Sequence, residues 1–409
     1  TSIKQVYGGS NAASVPATKL TINSAYEIHE SFGGGNGKDN YELDTKWYEN
    51  PGANIGYSAT YHHNTSSGGS QGSPYAAVQN NGSDGYADAT TKEARIANYS
   101  YGTGRARIEV YGGRIHRSYG GSNERGNIRY EASSAYEEVG SCPMIIDQTY
   151  GGGKNAETDA DIRTDMDCVD YTDELYGGST NGDVNSNIVL NITNGTFGKV
   201  FGGNKVHGRI LGSITVNVKE TGCKPIIIDK LYIGGDQADY SIYGYSGAGN
   251  ETARTKEEYD ALLDKTGITV QKDPRLNIIS ATRINNVYGG GFEARVVGSP
   301  HINVNMEEGT LLAKYMHPEY LTADQTETRI PGTTVKWRCR ENPEVVELGH
   351  DGILPIGTIG NIYGGVDQAL VDGSTTIEIG TGKHRNEEGE EEVLDPARSA
   401  AYITGRVYG

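Results

Sequence analysis

The chain is 409 residues long, carries a formal net charge of −17, and is only 35% hydrophobic. Glycine supplies 58 residues and tyrosine outnumbers phenylalanine 28 to 4; this is too polar and glycine-rich for a helical bundle, and no apolar run approaches the ~18–20 residues that span a bilayer. The acidic excess argues against nucleic acid, whose phosphates need a basic stripe, and four cysteines are too few for a disulfide-stapled scaffold.

An internal repeat dominates what remains. An aromatic followed by two glycines recurs at Tyr7, Phe32, Tyr119, Tyr150, Tyr176, Phe201, Tyr288 and Tyr363, with Tyr232-Ile233-Gly234-Gly235 as a variant and Tyr408-Gly409 as a shortened copy. Four positions upstream stand Ile3, Ile28, Ile115, Ile146, Phe197, Ile228, Ile284 and Ile359; in the Tyr176 and Tyr408 copies, Tyr171 and Ile403 stand five before. Between these corners, segments such as Leu190-Asn191-Ile192, Ile214-Thr215-Val216-Asn217-Val218, Ile302-Asn303-Val304-Asn305-Met306 and Ile377-Glu378-Ile379 alternate branched apolar with polar residues, the period of a strand with one buried face.

Spacing turns the repeat into a fold. Corners at 7 and 32, 150 and 176, and 176 and 201 lie 25, 26 and 25 residues apart, one turn of a solenoid whose coils bury their apolar face only by stacking. The prediction is an all-β, right-handed parallel β-helix forming one continuous unit over 1–409, expected to be a segment of a longer chain. Glycine at each corner permits φ > 0 or close approach of stacked backbones, and equivalent aromatics should form a ladder. Insertions are expected at about 33–100, 236–275, 310–355 and 382–400. The first is expected to hide coils with decayed anchors near Tyr101-Gly102-Thr103-Gly104, and the second a short helix over Thr255–Leu263, opened by a capping box from Thr255 to Glu258.

The corner with its approach, Ile284-Asn285-Asn286-Val287-Tyr288-Gly289-Gly290-Gly291, and the Ile-Thr-Val-Asn-Val strand resemble the large extracellular β-helix repeat proteins of Bacteroidota. The resemblance runs from Tyr7 to Tyr408 between the insertions. It implies an exported, extracellular or outer-surface protein with an adhesive or scaffolding role, whose partner is a surface glycan, a protein, or further coils and subunits of a surface assembly. It carries over no catalytic residue.

Candidate chemistry is sparse. Asp159, Asp161, Asp165 and Asp167 form a dense run of hard oxygen ligands that would suit calcium, or else a solvated acidic corner; no other cofactor is indicated. The adjacent His62 and His63 would point opposite ways on a strand, which suits loop surface better than a metal site. A polysaccharide lyase or glycoside hydrolase would need carboxylates converging in a cleft along the coils; Asp147 and Asp229, at one place in two coils, with Glu293 and Arg295, are the candidates, although recurrence by register marks them as part of the repeat. A tyrosine-rich polar face suits carbohydrate or protein binding, and a phage tailspike or fibre is a further alternative. Cys142 and Cys168 each precede a corner tyrosine by eight residues, which predicts equivalent places on adjacent coils and a disulfide, or else a ladder of buried thiols, with Cys223 and Cys339 unpaired.

Overall fold

The structure is a computed structural model that describes residues 2–37, 41–43, 46–48, 53–56, 63–64, 102–139, 143–220, 224–242, 273–304, 358–379, 383–385, 391–393 and 403–409. Among these residues the elements are all strands, most of them in long parallel sheets. The first sheet has ten strands in the order Ser2–Tyr7, Glu27–Phe32, Gly113–Tyr119, Met144–Tyr150, Tyr171–Tyr176, Gly195–Phe201, Ile226–Tyr232, Arg283–Tyr288, Thr358–Tyr363 and Val407–Tyr408. The second has nine, Thr18–Ile22, Arg105–Val110, Glu131–Glu137, Asp161–Cys168, Ile188–Ile192, Ile214–Lys219, Arg275–Ser280, His301–Val304 and Thr376–Ile379. A third is built from Tyr240–Ser241, Val296–Val297 and Val371–Asp372. Single bridges Val15–Ile55–Ile128 and Thr158–Val184–Ile210 make equivalent pairings in earlier repeats. Each repeat therefore visits the first, third and second sheets in turn.

Alternation explains the burial. In Met144–Tyr150 the side chains of Met144 and Ile146 point inward, and in Asp161–Cys168 those of Ile162, Thr164 and Met166 do; all are buried. Met144, Ile146, Ile162 and Met166 join Val184, Ile210 and their equivalents in one apolar core, each large aliphatic side chain contributing about 1.5–3 kcal/mol.

The glycine corner works by proximity. The Gly177 N–H donates to the Phe201 carbonyl at 2.8 Å, and a Cβ on Gly177 would lie 2.4 Å from the Gly202 carbonyl oxygen. Stacked backbones at this distance leave no room for a side chain. Left-handed backbone occurs elsewhere in the repeat, as at Gly195 with φ of 117°.

Several expectations are revised. Phe32 stacks directly on Tyr119 and their strands pair side by side, so among the described residues no further coil with a decayed anchor stands between them. Gly102 and Gly104, both left-handed, are instead the turn into Arg105–Val110. Residues 53–56, inside the expected 33–100 insertion, belong to the framework through the Ile55 bridges, as does Tyr240–Ser241 inside 236–275. Small antiparallel pairings occupy parts of two insertions: Tyr41–Leu43 with Lys46–Tyr48 and His63–Asn64, and Lys383–Arg385 with Glu391–Val393. The 310–355 insertion and the Thr255–Leu263 helix lie outside the described residues. In the Tyr176 copy, Thr172 takes the buried place four before the corner, and Tyr171 faces outward, 40% exposed.

Candidate functional site

The ten corner aromatics form a continuous stack. Ring centroids from Tyr7 through Phe32, Tyr119, Tyr150, Tyr176, Phe201, Tyr232, Tyr288 and Tyr363 to Tyr408 are separated by 4.6–5.2 Å with interplanar angles of 12° or less. Parallel register creates this geometry, because each ring sits opposite its own equivalent. The rings form an apolar cluster of their own, and Phe32, Tyr119, Tyr150, Tyr176, Phe201 and Tyr232 are at most 1% exposed. Tyr119, Tyr150, Tyr176 and Tyr232 therefore offer no stacking platform to a sugar; among the described residues, exposed aromatic surface resides in Tyr26, Tyr130, Tyr171 and the last corner tyrosine, Tyr408.

Polar side chains roof the stack. Glu30 accepts from Gln5 at 2.7 Å and Lys154 at 3.0 Å, with Arg117 at 3.1 Å. Glu174 accepts from Gln148 at 2.8 Å, Lys205 at 2.7 Å and the Tyr176 hydroxyl at 3.0 Å. The Tyr176 hydroxyl also lies 3.1 Å from Asp236 Oδ2. A phenol has one proton to donate. Burial pushes the Asp236 carboxyl up, whereas Lys205 holds Glu174 down against its own burial. The one phenol proton is therefore within reach of two carboxyl acceptors, Glu174 and Asp236.

Farther along the outer face, His116 is clamped between two carboxylates, with Nδ1 2.6 Å from Asp147 Oδ2 and Nε2 3.0 Å from Glu27 Oε1. Glu27, then Asp147, raises its pKa, which favours the imidazolium, the form that can donate from both nitrogens. Arg114 completes the site at 2.8 Å from Asp147 Oδ1, and His29 stacks on His116 at 5.0 Å.

The candidate catalytic residues do not converge. Asp147 and Asp229 lie three strands apart in the first sheet, about 14 Å at ~4.8 Å per strand, beyond the ~5–9.5 Å of a glycosidase pair. Asp229 accepts from Asn285 at 2.8 Å. Glu293 accepts from Gln237 at 3.4 Å, and Arg295 pairs with Asp372.

The acidic run is likewise distributed. Asp161, Asp165 and Asp167 share the outward face of one strand, and Asp159 is buried just before it. Their partners come largely from the next repeat: Asn185 for Asp159, Ser186 and the Asn187 N–H for Asp161, Asn191 for Asp165 and Thr193 for Asp167. Asp165 also holds Arg163 at 2.9 Å. Among the described residues no group of three or more His, Cys, Asp or Glu is arranged to hold a metal ion.

Counting back from the corners equates Cys142 with Cys168, but the strand register places Cys168 opposite Glu137 after a shift at Met166. Extra residues after Glu137 break the count. The predicted disulfide itself falls outside the described residues, as Cys142, Cys223 and Cys339 do.

Three features escaped the sequence reading. One is an amide ladder on the second sheet, in which Asn191 donates to Asp165, Asn217 to Asn191, Asn277 to Asn217 and Asn303 to Asn277 at 2.7–2.9 Å; the alternating asparagines were its visible signal. Another is the fully buried Glu220, which accepts from the Ile226 N–H at 2.8 Å and the Thr282 hydroxyl at 2.9 Å. The third is a cluster of Glu138, Asp170 and Lys224. Among the described residues no helix is long and apolar enough to cross a membrane. With this geometry in place, comparison with protein-family models, curated proteins and solved structures finds no match to the chain.

Proposed function

We propose that the parallel sheets belong to a right-handed β-solenoid that serves as an adhesive or scaffolding element of an exported, cell-surface assembly. The observation that carries this reading is the direction of the bonding. Aromatic rings, asparagine amides and backbone groups are matched to their equivalents in the next repeat, as expected of a module whose task is to extend and keep its form under load. Burial of the corner tyrosines favours a scaffold over a sugar-binding aromatic face. Partner recognition, to a surface glycan or protein, then belongs to the excursions between repeats. Surface placement follows from the resemblance to extracellular repeat proteins.

Two measurements test the reading together. Small-angle scattering should give a rod-like particle, and surface proteolysis of producing cells should release the protein. A globular scattering profile would remove the solenoid, and depolymerisation of an acidic polysaccharide by the purified chain would replace the scaffold with an enzyme.

A further inference from the structure

The Glu138, Asp170 and Lys224 cluster belongs to neither ladder. It lies where the chain passes from the second sheet to the first, just after Glu131–Glu137 and Asp161–Cys168 and just before Ile226–Tyr232. Its members come from three repeats. Lys224 Nζ is 2.8 Å from Asp170 Oδ1 and in contact with Glu138 Oε2, with side-chain exposures of 20% for the lysine, 35% for Asp170 and 14% for Glu138. The groups are fixed from behind: the Lys224 N–H donates to Asn194 Oδ1 at 3.2 Å, and the Met144 N–H donates to Asp170 Oδ2 at 2.7 Å. The repeat between those of Asp170 and Lys224 contributes Gly195, which has no side chain, at the corresponding turn.

An amine held in contact with two partly desolvated carboxyl groups has the composition of an amide-forming site, since fixed contact replaces the entropy cost of bringing the reactants together. We propose that Lys224 and Glu138 are joined by an intramolecular isopeptide bond, with Asp170 as the base for its formation. Asp170 takes a proton from the Lys224 ammonium, and the neutral amine attacks Cδ of the protonated Glu138 carboxyl. Asp170 passes that proton to the departing hydroxyl, which leaves as water, and takes up the surplus proton of the new amide nitrogen in its place. One C–N bond forms, one C–O bond breaks, water leaves, and no oxidant or cofactor takes part.

The electrostatics agree with these roles. Burial, together with the neighbouring Asp170 charge, raises the Glu138 pKa, which favours the carboxylic acid that an amine can attack. Asp170 is held low against its burial by Lys224, Glu138 and the Met144 N–H, which favours the carboxylate form that can accept a proton. The two acids raise the Lys224 pKa despite its burial, so proton transfer to Asp170 is an uphill step that must precede attack. The bond would link residues 86 apart and tie separate repeats covalently where strand pairing alone would let them peel.

Intact mass of the denatured, reduced chain tests the proposal. The wild-type chain should be lighter than its sequence by one water, and Lys224→Arg and Glu138→Ala should each restore the full mass expected for their sequences. After reduction and alkylation, which removes any link through Cys142 and Cys223, a tryptic digest should contain a branched peptide joining 130–154 to 220–230. A wild-type chain of full mass overturns the bond, and this needs no variant to fold. A water loss that survives Lys224→Arg, or a branch that maps to Asp170, overturns the assignment.

Discussion

Glu220 shows how one residue ties the repeat to pH. It is fully enclosed, and its carboxyl is pushed up from 4.5 to about 7 by burial, which outweighs the hydrogen bonds from Ile226 and Thr282. Below the unfolded value both states are protonated and its contribution to stability is complete; as pH rises through the folded value, the native state must hold a buried carboxylate and the contribution is lost. The difference between 4.5 and about 7 corresponds to roughly 3 kcal/mol. Urea midpoints at about pH 5 and about pH 8 should therefore fall with pH, and Glu220→Gln should flatten the change; an unaltered pH dependence in the variant would sink the assignment. Gly177 is limiting for a different reason. Valine there drives a side chain into the Gly202 carbonyl, and a loss of about 3 kcal/mol, the upper end for overpacking, read by chemical denaturation, is expected.

At the scale of elements, the aromatic stack and its roof contribute separately. Tyr176 lies 4.9 Å from both Tyr150 and Phe201, so Tyr176→Ala removes two stacking contacts and leaves a cavity, with an expected cost of about 3–5 kcal/mol. Tyr176→Phe keeps the stack and deletes only the hydroxyl between Glu174 and Asp236. Its cost should be about 1–3 kcal/mol. Equal losses in the two variants would show that the roof, not the rings, sets the stability of this face. The amide ladder predicts a graded defect: Asn217→Ala removes two rungs, the bonds to Asn191 and from Asn277, whereas Asn303→Ala removes the single bond to Asn277, so urea denaturation should show the larger loss for Asn217→Ala.

For the whole molecule, the excursions should be separable from the framework. Gly56 and Gly104 meet closely enough that a Cβ on Gly56 would lie 2.2 Å from the Gly104 Cα, so the chain leaves and rejoins the framework at nearly one place. Replacing 57–101 with a short Gly-Ser linker should retain the β circular dichroism signal and shift the melting temperature by only a few degrees, because loop-closure entropy changes slowly with length. Collapse of the β signal would mean that the excursion is part of the folding unit. If recognition resides in the excursions, the same variant is the natural one to carry into binding assays.

The corner motif by itself determined the all-β class and which aromatics stand opposite one another. The reason is physical: when identical local segments pair in parallel, the contact across the sheet is between equivalent positions, so periodicity in sequence is contact in space. The third sheet was invisible because most of its early pairings are single bridges such as Thr158 to Val184, too short to show a period. Tertiary structure alone decided that the corner tyrosines from Tyr119 to Tyr288 are covered, since their exposure depends on what lies over the face. It also decided which charged groups meet. His116 and Glu27 are 89 residues apart and Lys224 and Glu138 are 86 apart; such contacts depend on how many repeats and excursions intervene, which no local pattern records.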